Sequence, residues 1–166
     1  PTPVGIDRRV DVTSADEMSA AINASWPTTD VLIMAAAVAD YRPEERMAEK
    51  WKKADAGAQL TLVRTEDILR TLGSSADRAG KLLVGFAAET TDLEANAARK
   101  LQDKNLDFII ANDVSGATSG FGKGTNQGLL LGRDGPRITL ECMDKGRFAD
   151  AIIDALEETL QARCPR

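Results

Sequence analysis

The 166-residue sequence predicts an α/β protein with a mainly parallel sheet and helices on both of its faces. Three observations carry that prediction. Residues 31–37, 81–88 and 106–111 are short apolar runs, the pattern of strands buried on both faces. Segments of helical period lie between them. Polar residues then close the runs, Asp40 after the first, Glu89 after the second, and Asn112 with Asp113 after the third. In sheets of this class ligands sit at the carboxyl ends of the strands.

In chain order, residues 9–13 form a short strand candidate. Ser14-Ala-Asp-Glu17 is a capping-box pattern, and Met18, Ala21 and Ile22 follow at helical spacing up to Trp26-Pro27. With the run at 31–37 this makes a β–α–β unit, which implies a right-handed crossover. Ala35, Ala36 and Ala37 are small enough for a ligand to lie against the backbone. Asp40 reads either as the rim of such a site or as a cap. Residues 42–57 are highly charged without a clean period and read as a mobile excursion from the sheet. Residues 58–64 alternate, with Leu60 and Leu62 on one side.

Thr65 reads as the cap of a brief helix with Ile68, Leu69 and Leu72 inward and Gly73 as its stop. Thr91-Asp-Leu-Glu94 is a second capping box, opening a helix whose inner face is Leu93, Ala97 and Leu101. Residues 115–127 are a Gly/Ser/Thr-rich loop holding Phe121 and Lys123. Residues 129–131 and 138–140 flank an Asp134-Gly135 turn signal, which predicts a hairpin. The last helix places Phe148, Ile152, Ala155, Leu156 and Thr159 on one face.

Composition narrows the function. A net charge of −5 argues against a general nucleic-acid binder, although a local basic patch for phosphates is compatible with it. No apolar run reaches bilayer length and no signal peptide is read, so no membrane role is expected. Cys142 and Cys164 are too few for a disulfide framework, which makes reduced cytoplasmic thiols the default. The absence of histidine rules out a histidine triad and a His-ligated metal within these residues. The chain begins Pro1-Thr2-Pro3 in what reads as a loop, the expectation for a fragment or a processed piece.

The candidate chemistry is anion binding. Lys50, Lys52 and Lys53 form either a solvated charged face or a flap closing on phosphate or carboxylate. Lys100 and Lys104 sit four apart and share a helix face. They read as surface lysines favoured by the helix dipole, or as ammonium groups reaching a triphosphate. Asn112 and Asp113 make a turn or contact a substrate. Neither G-x-G-x-x-G nor a Walker loop occurs. The glycines at 120–124 read as loop flexibility.

Four motifs then stand together: Ala35-Ala-Ala-Val-Ala-Asp-Tyr41, Lys50-x-Lys-Lys53, Gly85-Phe-Ala-Ala-Glu-Thr90 and Ala111-Asn-Asp-Val114. In order and approximate spacing the sequence resembles phosphopantothenate–cysteine ligase, or phosphopantothenoylcysteine synthetase, over nearly its whole length. The resemblance implies a Rossmann-like domain at 1–166 that lacks the family's N-terminal segment, with a lysine flap at 42–57 and a homodimer contact through the strand at 58–64. It implies CTP-dependent joining of 4′-phosphopantothenate to cysteine in coenzyme A biosynthesis, in the cytoplasm. A flavin-dependent decarboxylase domain would be fused or associated.

By resemblance, Met34, Ala35, Ala36, Asp40, Glu66, Asp67, Ile68, Leu69 and Phe86 line the nucleotide site. Lys100 and Lys104 hold the triphosphate, with Mg²⁺ assisting and its ligands unassigned. Lys50 lies over the reacting groups and Asn112 near the pantothenate part. Two positions depart from the family pattern, with Thr65-Glu66 in place of Asn-Pro and Trp51 in place of an aliphatic residue. The alternatives are a non-catalytic nucleotide-binding or dimerisation module, and a dehydrogenase, which the missing dinucleotide fingerprint disfavours.

Overall fold

In the computed structural model, which describes residues 5–45, 59–115 and 124–163, the first element is a helix rather than a strand. Residues 8–12 form no strand: Val10 is exposed, and the Arg9 side chain folds onto Asp11 with Nε 2.8 Å from Oδ1. A run of β-forming residues becomes a strand only against a partner, and among the described residues no neighbour pairs here. The expected first β–α–β unit is therefore not formed.

Helix α1 (Ala15–Ser25) starts as its capping pattern predicts. Ser14 Oγ accepts from the Glu17 amide at 3.2 Å, but the Glu17 carboxylate accepts from the Thr13 amide (2.6 Å) and hydroxyl (2.8 Å). A 3₁₀ turn at Trp26–Thr28 ends it.

Strand β1 (Val31–Met34) stops short of the expected 37. It is not buried on both faces, since Ile33 is 38% exposed and its neighbours are half-buried. The cause is its place at the edge of the sheet. Strands β2 (Tyr41–Pro43) and β3 (Leu62–Arg64) pair antiparallel, so the chain just after Asp40 is strand and not excursion. Residues 46–58, which hold most of the expected flap, lie outside the described residues. Helix α2 (Ile68–Gly73) is not capped by Thr65, whose Oγ1 is buried without a hydrogen-bond partner among the described residues. Gly73 is required by close approach, because a Cβ there would lie 2.0 Å from the Lys104 carbonyl oxygen.

The remaining elements are β4 (Leu82–Glu89), α3 (Leu93–Asp103), β5 (Phe108–Asp113), β6 (Thr125–Gly132), β7 (Arg137–Asp144) and α4 (Lys145–Arg163). Among the described residues five strands form one sheet in the order β1-β4-β5-β6-β7. The β1–β4 and β4–β5 pairs are parallel, whereas β5–β6 and β6–β7 are antiparallel. The sheet is mixed, which corrects the mainly parallel expectation. The predicted hairpin did form. It extends beyond its apolar centre and joins the main sheet beside β5, where Leu129, Leu130 and Leu131 are buried, Leu130 in the core under α4.

Helices cover both faces. Phe148, Ile152, Ala155 and Leu156 of α4 pack with Val84, Phe108, Ile110, Leu130 and Leu140. The alternate strand residues, Leu83, Ile109 and Leu129 among them, face the other way. There α3 buries Ala97 and Leu101, the face its periodicity predicted. The Thr91 capping box is not made, because Asp92 is the N-cap, in the left-handed region at φ 48° and without a side-chain cap bond. Gly128 sits where β6 crosses the end of β5, and a Cβ there would lie 2.1 Å from the Ala111 carbonyl oxygen.

At the amino ends of β4 and β5 the polar groups are spent on structure. Asp107 accepts from the Leu83 amide at 2.7 Å and pairs with Arg78, while the Arg133 guanidinium donates to the Leu106 carbonyl at 2.7 and 2.9 Å. The chain divides into two compact units, Pro1–Thr28 with Ala37–Ile68, and Thr29–Ala36 with Leu69–Arg166. Among the described residues no helix is long and apolar enough to cross a membrane.

Candidate functional site

The carboxyl ends of β4 and β5 lie side by side in the second unit, with Ala88 beside Asn112 and Glu89 beside Asp113. In-register residues of parallel strands share a face, so two carboxylates are neighbours and each needs compensation. Glu89, 11% exposed at its side chain, is paired with Lys100, whose Nζ lies 2.7 Å from Oε1 and which is itself 39% exposed. Its second oxygen accepts from Asn96 Nδ2 at 3.3 Å. Asp113 Oδ1 accepts from the Ser115 amide (2.9 Å) and hydroxyl (2.6 Å), and Oδ2 from Gln127 Nε2 (2.9 Å). These donors, Ser115 foremost, hold the Asp113 carboxyl below the usual aspartate range. Asp113 thus links Ser115 to Gln127 of β6.

Asn112 points the other way. It shares the parity of Ile110, which packs in the α4 core, so it projects toward the α4 side while Lys100 reaches the strand ends from the α3 side. Asn112 Oδ1 is buried and has no hydrogen-bond partner among the described residues. A buried acceptor left open costs about 1–3 kcal/mol, so a donor brought by a ligand is favoured there. Lys104 lies at the C-cap of α3, where its amide donates to the Lys100 carbonyl at 3.1 Å.

Among the other expected nucleotide residues of this unit, Met34 ends β1 beside Gly85, and Ala35 and Ala36 follow it, exposed. The Phe86 ring packs against the α4 core and Leu69 is buried. A Cβ at Gly85 would meet Leu69 Cδ1 at 3.1 Å, so that residue is packed directly over β4. The Leu69 side chain is therefore closed to a ligand, whereas Phe86 is half-buried.

The first unit contains Asp40, Glu66, Asp67 and Ile68. The exposed Asp40 accepts the Thr65 amide at its carbonyl, 2.9 Å away, at the mouth of the β2–β3 pair. Asp67 is half-buried, and Ile68 is buried at the start of α2. Glu66 Oε2 accepts from Ser19 Oγ at 2.7 Å, and Ser19 in turn accepts from Asn23 Nδ2 at 3.2 Å. Sequence reasoning missed this link. Its signal was a serine set among Met18, Ala21 and Ile22 on the inward stripe of α1. Lys50, Lys52 and Lys53 lie outside the described residues. Among the described residues no three His, Cys, Asp or Glu come together as a metal site, so those residues do not form a cage for Mg²⁺.

Together these features define an α/β protein with a mixed five-stranded sheet, helices on both faces and polar side chains at the carboxyl ends of β4 and β5. The chain belongs to the DNA/pantothenate metabolism flavoprotein C-terminal domain family, whose model matches residues 1–160. It is 41% identical over 156 residues to the coenzyme A biosynthesis bifunctional protein CoaBC of Bacillus subtilis, covering 94% of this chain and 37% of that protein. Against the protein of the same name from Escherichia coli K12 it is 44% identical over 141 residues, 83% of this chain and 34% of that one. The chain thus spans little more than a third of the length of these relatives. The crystal structure of the C-terminal domain of a CoaBC protein matches with a TM-score of 0.73 at 37% identity, over 92% of this chain and 68% of that one. A DNA/pantothenate metabolism flavoprotein from Streptococcus pneumoniae shares the fold, with a TM-score of 0.69 at 18% identity, over 90% and 72% of the two chains.

Proposed function

We propose that this chain carries the phosphopantothenoylcysteine synthetase function of its family, joining 4′-phosphopantothenate to cysteine at the expense of CTP in coenzyme A biosynthesis. The observation that supports the reading most is kinship with bifunctional coenzyme A biosynthesis proteins over nearly the whole chain. The strand-end group is compatible with it. In the reaction the substrate carboxylate attacks the α-phosphorus of CTP, an acyl-cytidylate forms and pyrophosphate leaves. The cysteine amine then attacks the acyl carbon and CMP leaves. No protein nucleophile is required.

The protein's task is electrostatic. A carboxylate and a triphosphate brought to about 4 Å repel by roughly 1 kcal/mol in water and several-fold more in a less polar site. Lys100, Lys104 and Lys50 would offset that repulsion. A divalent cation would neutralise phosphate charge. Asn112 would take a hydroxyl or amide donor of the pantothenate part at its open acceptor. Met34, Ala35, Ala36, Asp40 and the 66–69 turn would border the nucleotide.

A homodimer through the β2–β3 segment, a cytoplasmic setting and a flavin-dependent decarboxylase partner belong to the same reading. The exposed Tyr41, Leu60 and Leu62 support the first of these. The test is pyrophosphate release by the full-length protein with phosphopantothenate and each of the four nucleoside triphosphates, followed by product formation on adding cysteine. Nucleotide binding without turnover would leave a binding module instead. NAD(P)H binding would overturn both.

A further inference from the structure

We propose that Glu89 is the counter-charge to which Lys100 returns when the phosphates of a nucleotide leave, so that Glu89 governs pyrophosphate release. The inference rests on the functional reading above. It starts from an asymmetry in the ion pair. Glu89 is anchored, with its side chain 11% exposed, while Lys100 is 39% exposed and ends a flexible stem. Asn96 Nδ2 donates to the second Glu89 oxygen (3.3 Å) and also to the Thr91 carbonyl (3.0 Å), which ties the carboxylate to the start of α3. The Glu89 carbonyl accepts the Val114 amide at 3.0 Å, which fixes the strand end. The acid is therefore the stationary member and the ammonium the movable one.

An ammonium has three N–H donors, and the pair uses one of them. The others can serve a phosphate, but the ion pair as a whole is neutral. A carboxylate beside the phosphates also repels them. Both effects make the polyanion's hold on Lys100 weaker than a bare lysine would give. That suits an enzyme that must discard pyrophosphate in every cycle, because release sets the rate of many such reactions. If Glu89 merely held α3 to β4, its loss would weaken anion binding. As a counter-charge, its loss strengthens binding, so the two roles differ in sign.

The experiment is calorimetric titration of the full-length protein with inorganic pyrophosphate and with CTP, in the wild type, Glu89→Gln, Lys100→Ala and the double variant. Glu89→Gln should bind pyrophosphate about three- to tenfold more tightly, the effect of removing one nearby, partly screened charge. It should also make pyrophosphate a stronger product inhibitor. Most of that gain should vanish in the Lys100→Ala background. Glu89→Asp, which withdraws the carboxylate by one methylene, should shift affinity less and in the same direction, and it serves if Glu89→Gln does not fold. Wild-type-like or weaker pyrophosphate binding in a folded Glu89 variant overturns the inference, as does a gain kept in full without Lys100. A wild type that binds neither CTP nor pyrophosphate overturns the functional reading together with the inference.

Discussion

Replacing Lys100 by alanine should act twice, on the ligand and on the fold. As a charge-assisted contact to phosphate, the ammonium is worth about 1.5–3 kcal/mol. Its loss should raise the Kd for CTP about 10- to 150-fold. In the absence of nucleotide, Lys100 is the cation of a carboxylate that is 11% exposed. Exposed pairs contribute about 0–1 kcal/mol, and stripping one partner from a fully buried pair costs about 3–5. This pair has one buried and one open member, and Asn96 remains on the second oxygen. A loss of about 1–2 kcal/mol is therefore expected, lowering the melting temperature of a domain this size by roughly 2–8 °C. Scanning fluorimetry without ligand reads the second effect and calorimetry with CTP the first. Adding Glu89→Gln to Lys100→Ala should restore most of the lost melting temperature. A single variant that melts like the wild type and binds CTP normally would refute both the ion pair's weight and the phosphate role.

Lys104→Ala should also weaken CTP, by a comparable charge-assisted contact, and should do so without needing Glu89, which the same titration in a Glu89→Gln background reads. Leu60 and Leu62 are 57% and 53% exposed, so Leu62→Glu should shift the protein toward monomer in sedimentation if they pack across a two-fold axis; an unchanged dimer would place the contact elsewhere. The Asp113 carboxyl lies below its ordinary range through Ser115 and Gln127. Its contribution is therefore present above the unfolded aspartate value, about 3.9, and is lost as pH falls through the folded value. Urea midpoints between about pH 3 and 6 should fall less steeply in Asp113→Asn than in the wild type. Lys50→Ala should slow pyrophosphate release in the first half-reaction more than it weakens CTP, if its contact forms mainly in the transition state.

Elements defined by their own side chains were legible in the sequence. The apolar centres of β4 and β5, the Ala97–Leu101 face of α3 and the Phe148–Leu156 face of α4 all appear where periodicity placed them. What failed depended on partners distant in the chain. Residues 9–13 have strand-forming valines but no neighbour to pair with among the described residues. Strand β1 is apolar at every position yet lies at an edge, so its burial is partial. The hairpin was visible, but its docking on β5 was not, and that docking turned the sheet mixed. The Thr91 cap failed for a local reason, whereas the Ser14 cap formed. A Thr-x-x-Glu pattern fixes residue types but not the entry angle, and with Asp92 in the left-handed region it is Asn96 that meets the Thr91 carbonyl.

The site shows the same division between composition and direction. That Glu89, Asn112 and Asp113 close their strands was readable from position alone. Which way each points follows from strand parity, and parity separates them. Glu89 and Asp113 face α3, where Lys100 waits, and Asn112 faces the α4 side with an open acceptor. Under the proposed reaction this arrangement sorts one substrate complex by chemistry. Phosphate charge belongs on the α3 side, where Lys100 answers Glu89. A neutral hydroxyl or amide donor belongs on the α4 side, where the Asn112 acceptor lacks a partner among the described residues. A ligand that satisfies both must pass over the carboxyl edge of β4 and β5. There Ala88 is exposed and has only a methyl group, so the backbone is open to close approach.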